Sequence, residues 1–347
     1  MRLKNKDIAE MLNISTTAVS LAINNRPGVS EETRRKVMAL LRDNANESYE
    51  SMSASEMPVS GATGSILISV HKKNGEVMND KPFFSDLVET IQQEAMKQQY
   101  TVMITHYMPG QDLIRYMQYL KGIRCDGIIV FGTEIDEADL KEYMRIDRPM
   151  VLMDTSFDLA PIDSVALDNQ NAMYRAVDYA YQMGHRRFGY LRSTTPIMNF
   201  VHSYDGFRKA LRERGIEREE LMIDLPTSID GAYQEMLAYL KARPDTDLPT
   251  IFIAELDYIA LGAMKALKEM GYRIPDDISM IGYDDVAACE ISEPTLTTNR
   301  VNHLDIGRLT MQRLAEIIRN PGAYYTTTQV SSDLIVRDSV KDLRNAR

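Results

Sequence analysis

Cysteine is scarce in this chain. Its 347 residues hold two, Cys125 and Cys289, far apart in sequence. That argues against a disulfide framework and fits a cytoplasmic location. Long apolar runs are missing too: no stretch approaches the roughly 20 residues that cross a bilayer as a helix. The opening MRLKNKDIAEM has no apolar signal core. The expectation is a cytoplasmic protein with no membrane partner. Catalytic signatures are also absent. His71, His106, His185, His202 and His303 are scattered, with no HExxH or other paired metal spacing. There is no phosphate-binding loop and no Gly-x-Ser-x-Gly. Asp284 and Asp285 are adjacent, but neighbouring side chains tend to point in different directions. His185, beside Arg186 and Arg187, reads as part of a helix-strand surface turn. No metal, cofactor or catalytic residue is expected, and the chain does not read as an enzyme.

The length allows two or three domains with ample core, and 44% of residues are hydrophobic. Asn5 to Asn24, NKDIAEMLNISTTAVSLAIN, reads as two short helices joined by a tight turn. Ile8, Ala9, Leu12, Val19, Ala22 and Ile23 fall at helical spacing and can share one small core. Asn13 suits the left-handed backbone of such a turn. Ser15 is placed to cap the second helix and Ser30 a third, with Glu31 and Glu32 at the positive end of its dipole. This is a helix-turn-helix pattern. Residues 1–45 carry eight Lys and Arg against five Asp and Glu, a net of +3, while the chain as a whole is −10 and the remainder therefore −13. A basic head on an acidic body fits a head that meets phosphates and a body that does not.

The segment DIAEMLNISTTAVSLAINNRPGVSEETRRKV resembles the DNA-binding head of the LacI/GalR family of bacterial transcriptional regulators. The match lies in an Ile-Ala pair on helix one, a Val-Ser pair on helix two, and Asn24-x-x-x-x-Val-Ser30-x-x-Thr33-Arg34. The resemblance implies that Thr16 and Thr17 open the recognition helix and face base edges in the major groove. Ser20 and Asn24 join the DNA-binding set. Ser30, Thr33 and Arg34 would hold the phosphate backbone, which positions without reading sequence. Leu21 stands where many members have Arg. It offers apolar contact, for instance to a thymine methyl, in place of a guanine fork.

Residues 46–63 form a linker rich in Ser, Ala and Gly, with poor hydrophobic period. In the family this place holds a hinge helix that wedges an apolar side chain into the minor groove. Here Glu47, Glu50 and Glu56 appear with no Lys or Arg from 44 to 64. An acidic linker is repelled by phosphates, which weighs against a hinge helix here; Met52 or Met57 is the candidate wedge if one forms.

From residue 65 apolar strands alternate with helices, the signature of parallel sheets covered on both faces. The expected class is a helix-turn-helix domain (1–45) plus a two-lobed doubly wound α/β effector and dimerisation domain (64–340). The body also resembles the LacI/GalR effector domain, which is similar to periplasmic sugar-binding proteins. The motifs are Met183-Gly-His-Arg-Arg187, Gly206-Phe207-x-x-Ala-Leu211, Asp257-x-x-Ala260-x-Gly262, and Ile281-Gly-Tyr-Asp-Asp285 followed by Pro294-x-Leu-Thr-Thr298. The family's lobes exchange chain three times. This predicts one lobe of 64–163 and 294–322 and another of 164–293 and 323–340, with a last strand over 328–336.

In such folds a ligand binds between the lobes at the carboxyl ends of the strands. The loop ends are Asn79–Phe84, His106-Tyr107, Gly132-Thr133, Asp154, Asp168-Asn169, Ser193–Asn199, Glu255–Asp257 and Asp284. The resemblance implies effector hydrogen bonds from Asp168 and Asp284, with Phe83, Phe84, Asn199 and Phe200 lining the site. Asp257 and Ser203 complete the expected set. Ser203 stands where the family often has an Arg that clamps ligand oxygens, and Leu256 where many members have Asn. Losing the Arg removes a five-donor fork and disfavours an anionic effector there. A neutral sugar is the first expectation for the effector, with a non-sugar small molecule or an unliganded regulator left open. The expected function is a homodimeric transcriptional repressor that binds a pseudo-palindromic double-stranded DNA operator. The alternative is a small-molecule sensor with a vestigial head.

Overall fold

The structure, a computed structural model, describes residues 9, 12, 14–16, 18, 19, 29, 30, 33, 36, 63–77, 83–216, 221–322 and 324–344. The chain divides into two units, Met1–Gly61 and Ala62–Arg347. In the first, the Ser15 hydroxyl accepts the Ala18 N–H at 3.1 Å. The Ser30 hydroxyl accepts the Thr33 N–H at 3.1 Å and meets the Thr33 hydroxyl at 2.8 Å. Both serines therefore cap helix starts, as their types and positions require. Ala9 and Val19 are buried, and the Ile14 N–H reaches the Ala9 carbonyl at 3.0 Å. Thr16 is helical and exposed. Thr17, Ser20, Leu21, Asn24 and Arg34, and the linker from 46 to 62, lie outside the described residues.

The second unit holds two six-stranded sheets. The first contains β1 (Gly64–His71), β2 (Tyr100–Tyr107), β3 (Gly127–Phe131), β4 (Met150–Asp154), β5 (Asp163–Leu167) and β11 (Thr327–Val330). Its order is β11-β5-β4-β3-β1-β2, parallel throughout. Helices α1 (Phe83–Lys97), α2 (Leu113–Gly122), α3 (Glu137–Tyr143) and α9 (His303–Arg319) belong with it. Strands β3, β4 and β5 are buried along their whole length. Their runs are accordingly apolar without alternation, because helices cover both faces.

The second sheet contains β6 (Phe188–Ser193), β7 (Leu221–Leu225), β8 (Ile251–Ala254), β9 (Ser279–Asp284), β10 (Thr297–Arg300) and β12 (Asp333–Ile335). Its order is β12-β10-β9-β8-β6-β7, and β12 alone runs antiparallel, against β10. With it go α4 (Asn169–Gln182), α5 (Met198–Glu213), α6 (Ile229–Ala242), α7 (Asp257–Glu269) and the short α8 (Ala288–Ile291).

The lobe boundaries differ from the expected 163/164, 293/294 and 322/323. Strand β5 pairs with β4, Val151 opposite Asp163, so the first lobe keeps the chain to Leu167. Strand β10 pairs with β9, so the second keeps it to Arg300. The single strand expected over 328–336 is two, β11 and β12, in different sheets, and the chain crosses at Ser331-Ser332. The physical reason lies between β4 and β5. Residues 155–162 join two parallel neighbours with no helix, and a missing helix reads in sequence as a break between lobes.

His185 is placed at the α4–β6 turn, but it is buried and not on the surface. Its Nε2 meets the Lys341 carbonyl at 3.1 Å and its Nδ1 the Thr250 hydroxyl at 2.9 Å. Burial lowers its pKa to about 4, so it is a neutral anchor for the last segment of chain.

Gly206 of α5 is where two helices nearly touch. A Cβ there would stand 2.0 Å from the backbone oxygen of Gln170 in α4. Gly206→Ala should force these helices apart and cost about 1–3 kcal/mol, the usual range for overpacking. Urea unfolding measures it; a loss below about 0.5 kcal/mol would show that the contact yields freely.

Candidate functional site

The carboxyl ends of the two sheets face one gap. Strand β4 ends on Asp154 and β9 on Asp284, both with positive φ (75° and 116°). Aspartate tolerates such left-handed backbone better than most residues, and the turn it permits brings polar groups to the gap. The first lobe contributes Thr133, Asp154, Leu167 and His303; the second contributes Asn169, Asn199, Ser203, Glu255 and Asp284, with Ile197, Phe200, Leu256 and Tyr283 as apolar wall. The cleft is nearly closed in this structure, with a free volume of ≈ 20 Å³, about the room of one water and well below ligand-binding volumes.

Hydrogen bonds fix most of these side chains. Thr133 donates its hydroxyl to Asp154 Oδ2 at 2.5 Å. Asn199 Nδ2 reaches across the lobes to the Asp154 carbonyl at 2.9 Å. The Tyr283 hydroxyl donates to Asn169 Oδ1 at 2.6 Å. Glu255 Oε2 accepts the Ser193 N–H at 2.6 Å. On each of these last three cleft residues one polar atom is left without a hydrogen bond: Asn199 Oδ1, Asn169 Nδ2 and Glu255 Oε1. Burial lifts the Glu255 carboxyl to about 8. The nearby cation, Arg192, is held by both oxygens of Asp224 at 2.6 and 2.8 Å.

Of the expected effector residues, Asn199, Phe200, Ser203 and Asp284 stand in the cleft wall. Three are placed elsewhere. Asp168 caps α4, accepting the Asn171 N–H at 3.2 Å and its amide at 2.8 Å; its neighbour Asn169 lines the cleft instead. Asp257 is fully buried behind the wall, where its carboxylate takes the Thr298 hydroxyl at 2.6 Å and the Val286 N–H at 3.0 Å. Burial, then the charge of Asp284, raises it to about 6. Phe84 stacks on Phe131 in the first-lobe core, ring centroids 5.6 Å apart. Phe83 opens α1, and its side chain lies outside the described residues. His303, Leu167 and Tyr283 were not anticipated. His303 starts α9 directly after the chain re-enters the first lobe, and re-entry beside a strand end is the signal that could have found it.

The lobes are also latched. The Glu134 carboxylate accepts three backbone N–H groups, from Asn74 (2.9 Å), Gly75 (2.7 Å) and Val77 (3.0 Å). The loop so held delivers Val77 into the second-lobe core. Its Glu76 accepts the hydroxyl of Thr195 through the carboxylate, and that of Thr227 through its carbonyl at 3.2 Å. Among the described residues no helix is long and apolar enough to cross a membrane, and no group of three or more His, Cys, Asp or Glu could hold a metal ion.

Two sheets joined by three crossings around a polar cleft define a two-lobed periplasmic-binding-protein-like body. The profile for periplasmic binding protein-like domains matches residues 177–340, and that for bacterial regulatory proteins of the lacI family matches residues 5–44. The HTH-type transcriptional repressor PurR of Mannheimia succiniciproducens is 29% identical over 346 residues, 97% of this chain and 98% of its own. The fold is shared with the transcriptional regulator CelR in complex with cellobiose (TM-score 0.71, 22% identity, 97% of this chain and 100% of that one). It is shared also with the lac repressor dimer bound to operator and an anti-inducer (0.69, 22%, 98% and 100%). The chain thus carries a lacI-family regulatory head and a periplasmic binding protein-like body, the two domains of the LacI-family regulators it resembles.

Glu134→Ala should release the loop at 74–77. Losing three hydrogen bonds to a charged acceptor is expected to cost about 3 kcal/mol or more. Hydrogen exchange should show protection lost first at the Asn74, Gly75 and Val77 amides; unchanged protection there would refute the latch.

Proposed function

We propose that this protein is a cytoplasmic transcriptional repressor that binds a pseudo-palindromic DNA operator as a homodimer and is controlled by a small uncharged effector, a neutral sugar, in the cleft. The observation that carries the reading is the pairing, in one chain, of a lacI-type head at 5–44 with a two-lobed body, the arrangement PurR matches over nearly its full length. The acidic body and basic head place the affinity for phosphate in the head. Thr16, exposed on the first turn of a capped helix, suits a base-edge contact.

A second copy of the chain suits the outer edge of the first lobe. Strand β2 ends that sheet, and Ile104, Met108, Ile114 and Tyr119 on β2 and around α2 are exposed. An apolar sheet edge left uncovered is an aggregation hazard that a two-fold partner removes. Among the described residues the cleft wall has carboxylates, amides and hydroxyls but no Lys or Arg, which suits hydroxyl groups and disfavours anions. The CelR structure is a complex with cellobiose, a molecule of that chemistry.

Selection of random duplexes by the full-length protein, followed by fluorescence anisotropy at several salt concentrations, tests the reading. The expected result is a two-fold symmetric consensus bound about 10³-fold or more above random duplex. Thr16→Ala should lose about 1–3 kcal/mol on that consensus and little on random DNA. Absence of any enriched sequence would count against an operator reader.

A further inference from the structure

The unpaired atoms in the cleft have directions that their neighbours dictate. The Asp154 carbonyl can only accept, so the Asn199 atom facing it is Nδ2 and the free atom is the acceptor Oδ1. Tyr283 donates to Asn169 Oδ1, which leaves Nδ2 as a free donor. The Ser193 N–H can only donate, so Glu255 Oε2 is an acceptor and any proton on that carboxyl sits on Oε1. All three side chains are more than nine-tenths buried. Unpaired buried polar atoms are costly, and three on one cleft wall point to a missing partner.

We propose that Asn169 Nδ2, Asn199 Oδ1 and the protonated Oε1 of Glu255 form a donor–acceptor–donor set that selects an uncharged, hydroxyl-rich effector, with the Glu255 carboxyl entering as a hydrogen-bond donor. The inference rests on the reading of the cleft as an effector site. A hydroxyl both donates and accepts, so a polyol can satisfy all three atoms, whereas a carboxylate ligand cannot serve Asn199 Oδ1 and meets Asp154 and Asp284 as well.

The surroundings of Glu255 keep it neutral. The Tyr190 hydroxyl on β6 lies close to it but also lacks a hydrogen bond of normal geometry. Arg192 on β6 is neutralised by Asp224 on β7. Asp284 on β9 shares the cleft wall, and Asp154 and His303 line it from the first lobe. Among the described residues no lysine or arginine lines the cleft, and burial raises the carboxyl to about 8. Glu255 is therefore a donor at pH 7 and loses that role above pH 8.

The test is binding of D-ribose, D-glucose and cellobiose, with D-glucuronate and D-glucosamine as charged controls, measured by thermal shift and calorimetry at pH 7 and 9. Carboxyl-labelled glutamate NMR of the full chain runs alongside. We expect one glutamate titrating near pH 8 that is missing from Glu255→Gln. We expect a neutral sugar whose affinity falls about tenfold from pH 7 to 9, the ratio of neutral carboxyl at the two values. Glu255→Gln, still a donor, should bind within about threefold of the parent at pH 7 and show no fall at pH 9; Glu255→Ala should lose about tenfold. A sugar bound equally at both pH values, or no glutamate titrating near 8, would overturn the Glu255 role and leave the sugar reading standing. Failure of every neutral sugar to bind, or tighter binding of glucuronate, would overturn both.

Discussion

Two parallel sheets aim their carboxyl edges at the same gap, and the chain passes between them three times. Much of the body follows from that constraint. Strand ends are where backbone amides and polar turns collect, so closing two such edges buries polar groups that water would otherwise serve. The lobes answer by pairing across the gap. Asn199 on the second lobe donates to the Asp154 carbonyl of the first. The loop held by Glu134 carries Glu76 and Val77 over to the second lobe. Among the described cleft residues, the buried side-chain atoms left unpaired belong to Asn169, Asn199 and Glu255. Hydrogen bonds close the cleft, and the apolar contact of Val77 adds to them. The crossings limit how the lobes move, since each strand running through them ties one sheet to the other.

Charge divides the labour between the two units. The head carries the excess of Lys and Arg, and the body carries the acidity. Residues 46–347, net −13, would weaken binding if they touched DNA, which favours the head as the seat of the affinity for phosphate. The same acidity continues in the cleft as Asp154 and Asp284. On the proposed reading, ligand sensing and DNA reading fall in different electrostatic environments.

Much of this was legible in the sequence. The caps Ser15 and Ser30 follow from residue type and place, because a hydroxyl before a helical run has one obvious acceptor role. The parallel sheets follow from apolar runs without alternation. The lobe boundaries were read wrongly at β5 and β10, since an apolar strand does not name its neighbour and the helix-free link between β4 and β5 imitates a domain break. In the cleft, Asn199, Phe200, Ser203 and Asp284 were legible through the family resemblance, and Asn199 and Asp284 also fall among the expected loops at strand ends. Asp257 could not be told from a ligand residue. Its removal from the cleft depends on Gly282, whose missing side chain lets the carboxylate turn inward to Thr298, a contact between elements far apart in sequence. Asp168 and Asn169 differ by one position, and helix geometry turns the first to cap and the second to the cleft. Glu255 lay within an expected loop, but its neutrality comes from burial and from the pairing of Arg192 with Asp224, which no local sequence pattern reports.

The central claim is that the cleft and the head are coupled. The most direct measurement is the operator affinity of the full-length protein by fluorescence anisotropy at one fixed salt concentration, with and without a saturating neutral sugar. Coupling of at least about 1 kcal/mol predicts a change of roughly fivefold or more in operator affinity, with the operator changing the sugar's affinity by the same factor. A sugar that binds the cleft and leaves operator affinity unchanged would contradict the account.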